Sequence, residues 1–184
     1  MSDLDALTGE PLALDLVNTR TAVGDLLATP EDLRGWLRLQ ADRLPPTGEL
    51  THDDLAAVRR VREHTARALG HARRGTEPPA ADLEALNEAQ RAAPAITELS
   101  WSGAAVTATR RRADGQAGVR LAAWLAEAAA ELLADPAVTR VRECEADDCV
   151  MVFLPAHPRR RWCSAARCGN RVRVARHYQR HKPA

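Results

Sequence analysis

Four cysteines cluster towards the end of the chain. Cys144 and Cys149 have four residues between them, thirteen residues follow, and Cys163 and Cys168 again have four between them. Two short loops, each offering two thiolates, meet the demand of a tetrahedral ion once the spacer folds back to bring the pairs together. One structural zinc held by all four cysteines is the favoured reading. An iron–sulfur cluster, which four thiolates also hold, is an alternative, and a pair of disulfides is another, disfavoured in a reducing compartment. Four sulfurs would close the coordination sphere and leave no position for a metal-bound water, so metal-assisted hydrolysis is not expected. His157, His177 and His181 lie nearby and read as polar neighbours of the site rather than ligands.

The second group able to do chemistry is arginine. Arg159, Arg160 and Arg161 stand just before the second cysteine pair, and Arg171, Arg173, Arg176 and Arg180 follow it. If the last segment is helical from about 171 to 181, the step of about 100° per residue gathers Arg173, Arg176 and Arg180 on one side. Val174, Ala175 and Tyr178 fall on the other side with Arg171 and are expected to pack on the metal knuckle. Guanidinium forks fit phosphate and guanine, so both clusters are candidate nucleic-acid contacts. Arg171 has a second candidate role, neutralising the negative metal–thiolate centre. Gly169 and Asn170 read as backbone devices, for close approach and for capping the last helix. Trp162 reads as core. No catalytic triad, phosphate-binding glycine loop or carboxylate cluster is recognisable, and the chain is not expected to be an enzyme.

The elements that must position these groups read as mainly α. Thr29-Pro30-Glu31-Asp32 opens a helix with Leu33, Trp36, Leu37 and Gln40, ending at Pro45-Pro46. Thr51 and Asp54 open a second with Leu55, Val58, Thr65 and Leu69 on its core face. Arg60, His64, Arg67 and His71 form a basic stripe opposite, read as a solvated face. Pro78-Pro79 introduces a third helix carrying Leu83, Leu86 and Ala89. Residues 95–109 read as a β-hairpin about Ser102-Gly103, and residues 110–118 as a loop. A long helix follows with Leu121, Leu125, Ala128 and Leu132, its alanines offering a candidate dimer surface, and Asp135-Pro136 ends it. The apolar run of residues 8–20 fits either strand or helix; Asp15 and Asn18 within it read as buried hydrogen-bonding groups or as a small-ligand pocket. The fold class is therefore an α-rich N-terminal domain with a small β-hairpin, residues 1–139, joined to a four-cysteine zinc-finger module ending in a helix, residues 140–184.

The formal net charge of +1 over 184 residues conceals a partition. Residues 1–139 hold 15 basic and 21 acidic side chains, whereas residues 140–184 hold 11 and 4, with no acid beyond Met151. Nucleic-acid binding is thereby directed to the C-terminal module. The acidic N-terminus lacks the basic and apolar regions of a signal peptide, and the apolar stretches are too short to span a bilayer, so a cytoplasmic protein with no membrane partner is expected.

The run Arg161-Trp162-Cys163-Ser164 with Cys168-Gly169-Asn170-Arg171 resembles the CGNR zinc-finger family. Gly9, Leu12, Leu14, Asp15, Asn18 and Thr19 resemble the signature of the ABATE domain, which precedes that finger in the same proteins. Phe153-Leu154-Pro155-Ala156-His157 lacks the aspartate usual after the family's phenylalanine, and Leu16 replaces a common aromatic residue. The resemblance implies a bacterial, stress-responsive transcription regulator whose finger binds nucleic acid, DNA before RNA. RNA or ribosome association and a protein-interaction role stay open beside it, as do a homodimer and a small-molecule effector of the N-terminal domain.

Overall fold

A computed structural model describes residues 8–180. The apolar run near the start resolves as a helix, α1 (Leu12–Val17), which buries Ala13, Leu14, Asp15 and Leu16. It leads into a tight antiparallel pair, β1 (Arg20–Thr21) and β2 (Gly24–Asp25). The helix α2 (Pro30–Leu39) starts in a reciprocal capping box, in which the Asp32 amide donates to Thr29 Oγ1 at 3.2 Å and the Thr29 amide donates to Asp32 at 2.8 Å. Leu33, Trp36 and Leu37 are buried. This helix stops short of Pro45, because Gln40 leaves the helical ladder and its buried amide turns to Asp15.

Thr51 and Asp54 repeat the capping box at the start of α3 (His52–Ala72), and Leu55, Val58, Thr65 and Leu69 are buried as their spacing predicts. The basic stripe on its other side is partly occupied by the next helix, α4 (Ala80–Ala92). Asp82 of α4 is buried and takes both Arg67, at 2.7 Å, and His64, at 2.8 Å. Leu83, placed in the core by its spacing, is exposed; Asp82 and Leu86 face inward instead. Ion pairing across two helices overrides the apolar pattern there.

The hairpin consists of β3 (Ala95–Trp101) and β4 (Val106–Arg112), in register from Ala95 opposite Arg112 to Trp101 opposite Val106. Its second strand runs through Arg110 and Arg111 to Arg112, where a loop is predicted from sequence. Most of the hairpin stands in solvent on both faces, with Leu99 and Trp101 exposed.

The long helix α5 (Ala117–Ala134) is central. Leu121, Ala122, Ala123, Leu125, Ala126, Ala129 and Leu132 are buried against α1, α3 and α4. Ala122, Ala123, Ala126 and Ala129 serve close helix packing inside the chain. Gly118 marks the tightest point: a Cβ there would lie 2.5 Å from Asp54 Cα, and its amide donates to Asp54 at 2.6 Å. A short 3₁₀ turn, Pro136–Arg140, is started by Asp135 and Pro136. It leads to β5 (Arg142–Glu143), paired with β6 (Val152–Phe153), and the chain closes in α6 (Asn170–Arg180). Met151 and Val152 belong to the same apolar cluster as α1 and α5. Among the described residues, no helix is long and apolar enough to cross a membrane.

Candidate metal centre and arginine helix

The β5–β6 pairing builds the first knuckle. Glu143 opposite Val152 sets the hairpin, the Cys144 amide donates to the Met151 carbonyl at 2.9 Å, and the Cys149 amide donates to Ala146 at 2.9 Å. Both thiols thereby leave one tight turn. The second knuckle is a single π-helical turn, Ala165–Gly169, whose start is capped by Ser164 accepting from the Arg167 amide. The Glu145 amide donates to the Arg161 carbonyl at 3.0 Å and ties the knuckles together.

All four cysteine sulfurs lie within 4.8 Å of one another. Cys163 Sγ is 3.8 Å from Cys149 Sγ and 3.5 Å from Cys168 Sγ. Sulfurs arranged tetrahedrally around one zinc, at the usual Zn–S distance of about 2.3 Å, stand about 3.8 Å apart. The site therefore fits a single ion. A multi-iron cluster would hold the sulfurs farther apart, and a disulfide requires about 2.05 Å, which no pair approaches; the cysteines are free. Cys144, Cys149, Cys163 and Cys168 are thus positioned to hold one structural zinc.

The electrostatics agree with that donor set. Burial, then the neighbouring cysteines, pushes the Cys163 thiol far up, and burial with the Cys144 charge raises Cys149 to about 11. Burial also acts against the Cys144 thiolate, but the Cys163 amide at 3.4 Å, together with the Ala146 amide, outweighs it and brings that thiol down. Cys149 and Cys163 thus resist ionisation as they stand, and a divalent ion among the sulfurs would favour their thiolates.

Around the sulfurs, Trp162 is half-buried and packs against the cluster. A Cβ on Gly169 would come 3.3 Å from the Trp162 ring, so glycine here serves close approach. Asn170 does not cap from outside the helix: it is the first residue of α6, in helical conformation, and accepts from the Arg173 guanidinium. Packing of α6 on the knuckle also differs from the sequence reading. Val172 makes the contact, while Val174 and Tyr178 are exposed. The π-helical turn adds a residue per turn relative to an α-helix, and this rotates the helix that follows.

The candidate arginines divide. Arg159, Arg173 and Arg176 are exposed. Arg161 is also at the surface but pairs with Glu145 at 2.5 Å and lies over Trp162. Arg171 donates to Cys168 Sγ at 3.6 Å and pairs with Asp148 at 2.7 Å, the geometry of charge neutralisation at the metal centre. Arg160 turns inward: it bonds Glu10 at 2.6 Å and the Cys163 carbonyl at 2.5 Å, and lies 4.4 Å over Phe153. The side chain of Arg180, and His181, lie outside the described part.

Asp15 and Asn18 are both buried and both bonded. Asp15 is paired with Arg43 and accepts from the Glu10 amide at 3.2 Å. Burial pushes its carboxyl up, and Arg43, Gln40 and the Glu10 amide only partly pull it back. Asn18 acts as a strand partner. Its amide nitrogen donates to the Val152 carbonyl and its oxygen accepts from the Val152 amide, both at 2.9 Å. Beside it, Glu10 accepts from the Leu154 amide at 2.9 Å as well as from Arg160. The free edge of β6 is thus closed by two side chains from the N-terminal signature. Glu10 and Arg43 were missed by the sequence reading. Glu10 sits inside the signature, between Gly9 and Pro11, but its partners lie more than 140 residues away.

A closed four-thiolate centre that anchors a basic helix, docked on an α-rich body, defines a zinc-finger protein. Residues 140–181 match the CGNR zinc finger, and residues 10–136 match ABATE, a family described as "putative stress-induced transcription regulator". The chain belongs to the ABATE family and carries the CGNR finger behind it. Among curated proteins, none matches it.

Proposed function

We propose that this protein is a transcription regulator that binds duplex DNA through its finger, with residues 1–139 as the body and residues 140–184 as the binding module. The observation that carries the reading is α6: its described side chains are almost all exposed, it is basic, and its first turn is fixed to the metal knuckle. Arg173 and Arg176, with Arg159, are exposed and meet phosphate and base edges, and Arg180 joins them on its sequence spacing alone. Arg171 and Arg160 instead hold the centre and its seat, a division supported by their contacts with Cys168 and Glu10. A rigid metal anchor lowers the ordering cost that a basic tail would meet on binding.

Fluorescence anisotropy on zinc-loaded protein, with duplex DNA, a scrambled duplex and structured RNA at about 50 and 200 mM salt, tests this. Replacing Arg173, Arg176 and Arg180 by Gln should leave zinc bound and reduce the salt slope by about 2 to 3. Arg160→Gln should weaken the fold before it weakens binding. Tighter binding to RNA than to DNA would assign the finger to RNA. Binding unchanged in the triple variant would remove α6 from the interface.

A further inference from the structure

Beyond the finger, the body has a cleft of about 500 Å³ between β4 and α5. Leu12, Leu132, Leu154 and Trp124 give it apolar walls, and Arg110 and Arg112 line one part. Arg112 is unusual for an arginine: its side chain is 2% exposed, and its guanidinium lies 4.9 Å over the Trp124 ring. Its Nε has no hydrogen-bond partner among the described residues, a condition rare for a buried donor.

The charges do not balance at that end. Glu127 is shared by Arg112, at 2.6 Å, and Arg110, at 3.2 Å, so one carboxylate faces two guanidiniums. Arg110 is 61% exposed and can swing towards a ligand without uncovering a buried pair. Glu131, about 6 Å farther along α5 from Glu127 at the helical rise, and Asp135, just past the end of α5, also line the cleft. A surplus of positive charge, an apolar middle and acids beyond it select a molecule with a single anionic end.

We propose that this cleft binds an amphipathic monocarboxylate, its carboxylate on the exposed Arg110 with the charge of Arg112, held by Glu127 and the Ala93 carbonyl, behind it, and its apolar body against Trp124, Leu132 and Leu154. Asp15 and Asn18 are satisfied within the chain, so a small-molecule effector belongs here instead. The position matters for signalling. Leu154 belongs to the finger segment, and Arg43, also in the lining, donates to the Glu10 carbonyl at 2.7 Å. A ligand would touch both sides of the seam that seats the finger.

The test uses full-length, zinc-loaded protein and 4-phenylbutyrate as probe, with 4-phenylbutanol, 4-phenylbutylamine and the dianion suberate as comparisons. Binding is followed by calorimetry and by the Trp124 indole resonance, assigned with Trp124→Phe. Phenylbutyrate should bind, shift that resonance, and outcompete each comparison compound by about tenfold or more. Arg110→Gln, at an exposed position, should weaken it by a similar factor, and Ala128→Phe, which fills the cleft from α5, should abolish it in protein that retains its zinc. Equal binding of the alcohol or the amine overturns the proposal. So does binding that survives Ala128→Phe, or no binding of phenylbutyrate at about 10 mM, well above the range of a preformed pocket for such a ligand.

Discussion

Asn18→Leu isolates the seam between body and finger. Leucine keeps nearly the same volume but neither donates nor accepts, so Val152 loses a partner at its carbonyl and another at its amide, both 2.9 Å bonds in a buried place. Each buried backbone group left unpaired costs about 1–3 kcal/mol, so the pair should cost about 2–6 kcal/mol. Urea denaturation followed by tryptophan fluorescence reads the total, because Trp36 and Trp124 report the body and Trp162 the finger. Hydrogen exchange at the Val152 amide reads the site itself and should accelerate at least about thirtyfold, the factor that 2 kcal/mol gives. Asn18→Asp should also be damaging, because it keeps an acceptor for the Val152 amide but turns a second oxygen, and a buried charge, towards the Val152 carbonyl. A loss under about 0.5 kcal/mol in Asn18→Leu, with Val152 exchange unchanged, would refute the claim that this side chain closes the sheet edge.

Three further outcomes follow from the packing and the charges. Metal analysis should find about one zinc per chain, and a strong chelator should lower the melting temperature of the whole chain, since Met151 and Val152 are part of the body's core; unchanged melting would contradict that shared core. Gly118→Ala should cost about 1–3 kcal/mol by thermal melting, because its Cβ meets the Asp54 main chain at 2.5 Å and relief requires moving α3 away from α5. Acid should unfold the protein through Asp25, Asp54 and Asp82. Burial opposes the Asp25 charge, yet the Arg62 fork, the Leu27 amide and Arg59 hold its carboxyl low; Asp54 and Asp82 are also held low. Folded values below the unfolded one, about 3.9, mean that this stability is present above about pH 4 and is lost as pH falls through the folded values. The urea midpoint should hold steady from pH 7 to about 5 and then drop. Asp25→Asn should flatten that acid limb while costing about 2 kcal/mol at neutral pH, because Arg62 is 2% exposed.

What could be read from sequence was local. The two Thr-x-x-Asp boxes start helices because their partners are three residues apart, and the knuckles were visible because each thiol pair lies in one turn. The hairpin was visible for the same reason, but its solvent exposure was not, since β-branched residues mark a strand without saying what covers it. Failures occur where a distant partner decides. Arg160 sits in a run of three arginines and looks solvated, yet Glu10, 150 residues away, turns it inward. Leu83 and Asp82 exchange their expected places because Arg67 and His64 wait across the helix pair. At α6 the obstacle is of another kind: a single π-helical turn shifts the phase of the helix, and no residue pattern announces it.

The partition of charge gains a mechanical meaning from the seam. A basic module on a loose tether would collapse onto the acidic body or sample every direction. Here the finger is fixed by the Asn18 pair, by Glu10 with Arg160, by Arg73 with Glu143 and by the shared apolar cluster. Glu10 neutralises Arg160, the one arginine of the 159–161 run that faces the body, while Arg159 and the basic face of α6 remain outward. If the finger binds a polyanion as proposed, a fixed seat lets the basic C-terminal module set the orientation of approach rather than adjust after contact. Because the same residues seat the finger and fix that orientation, loosening the seam should weaken binding even though no arginine at the surface has been changed.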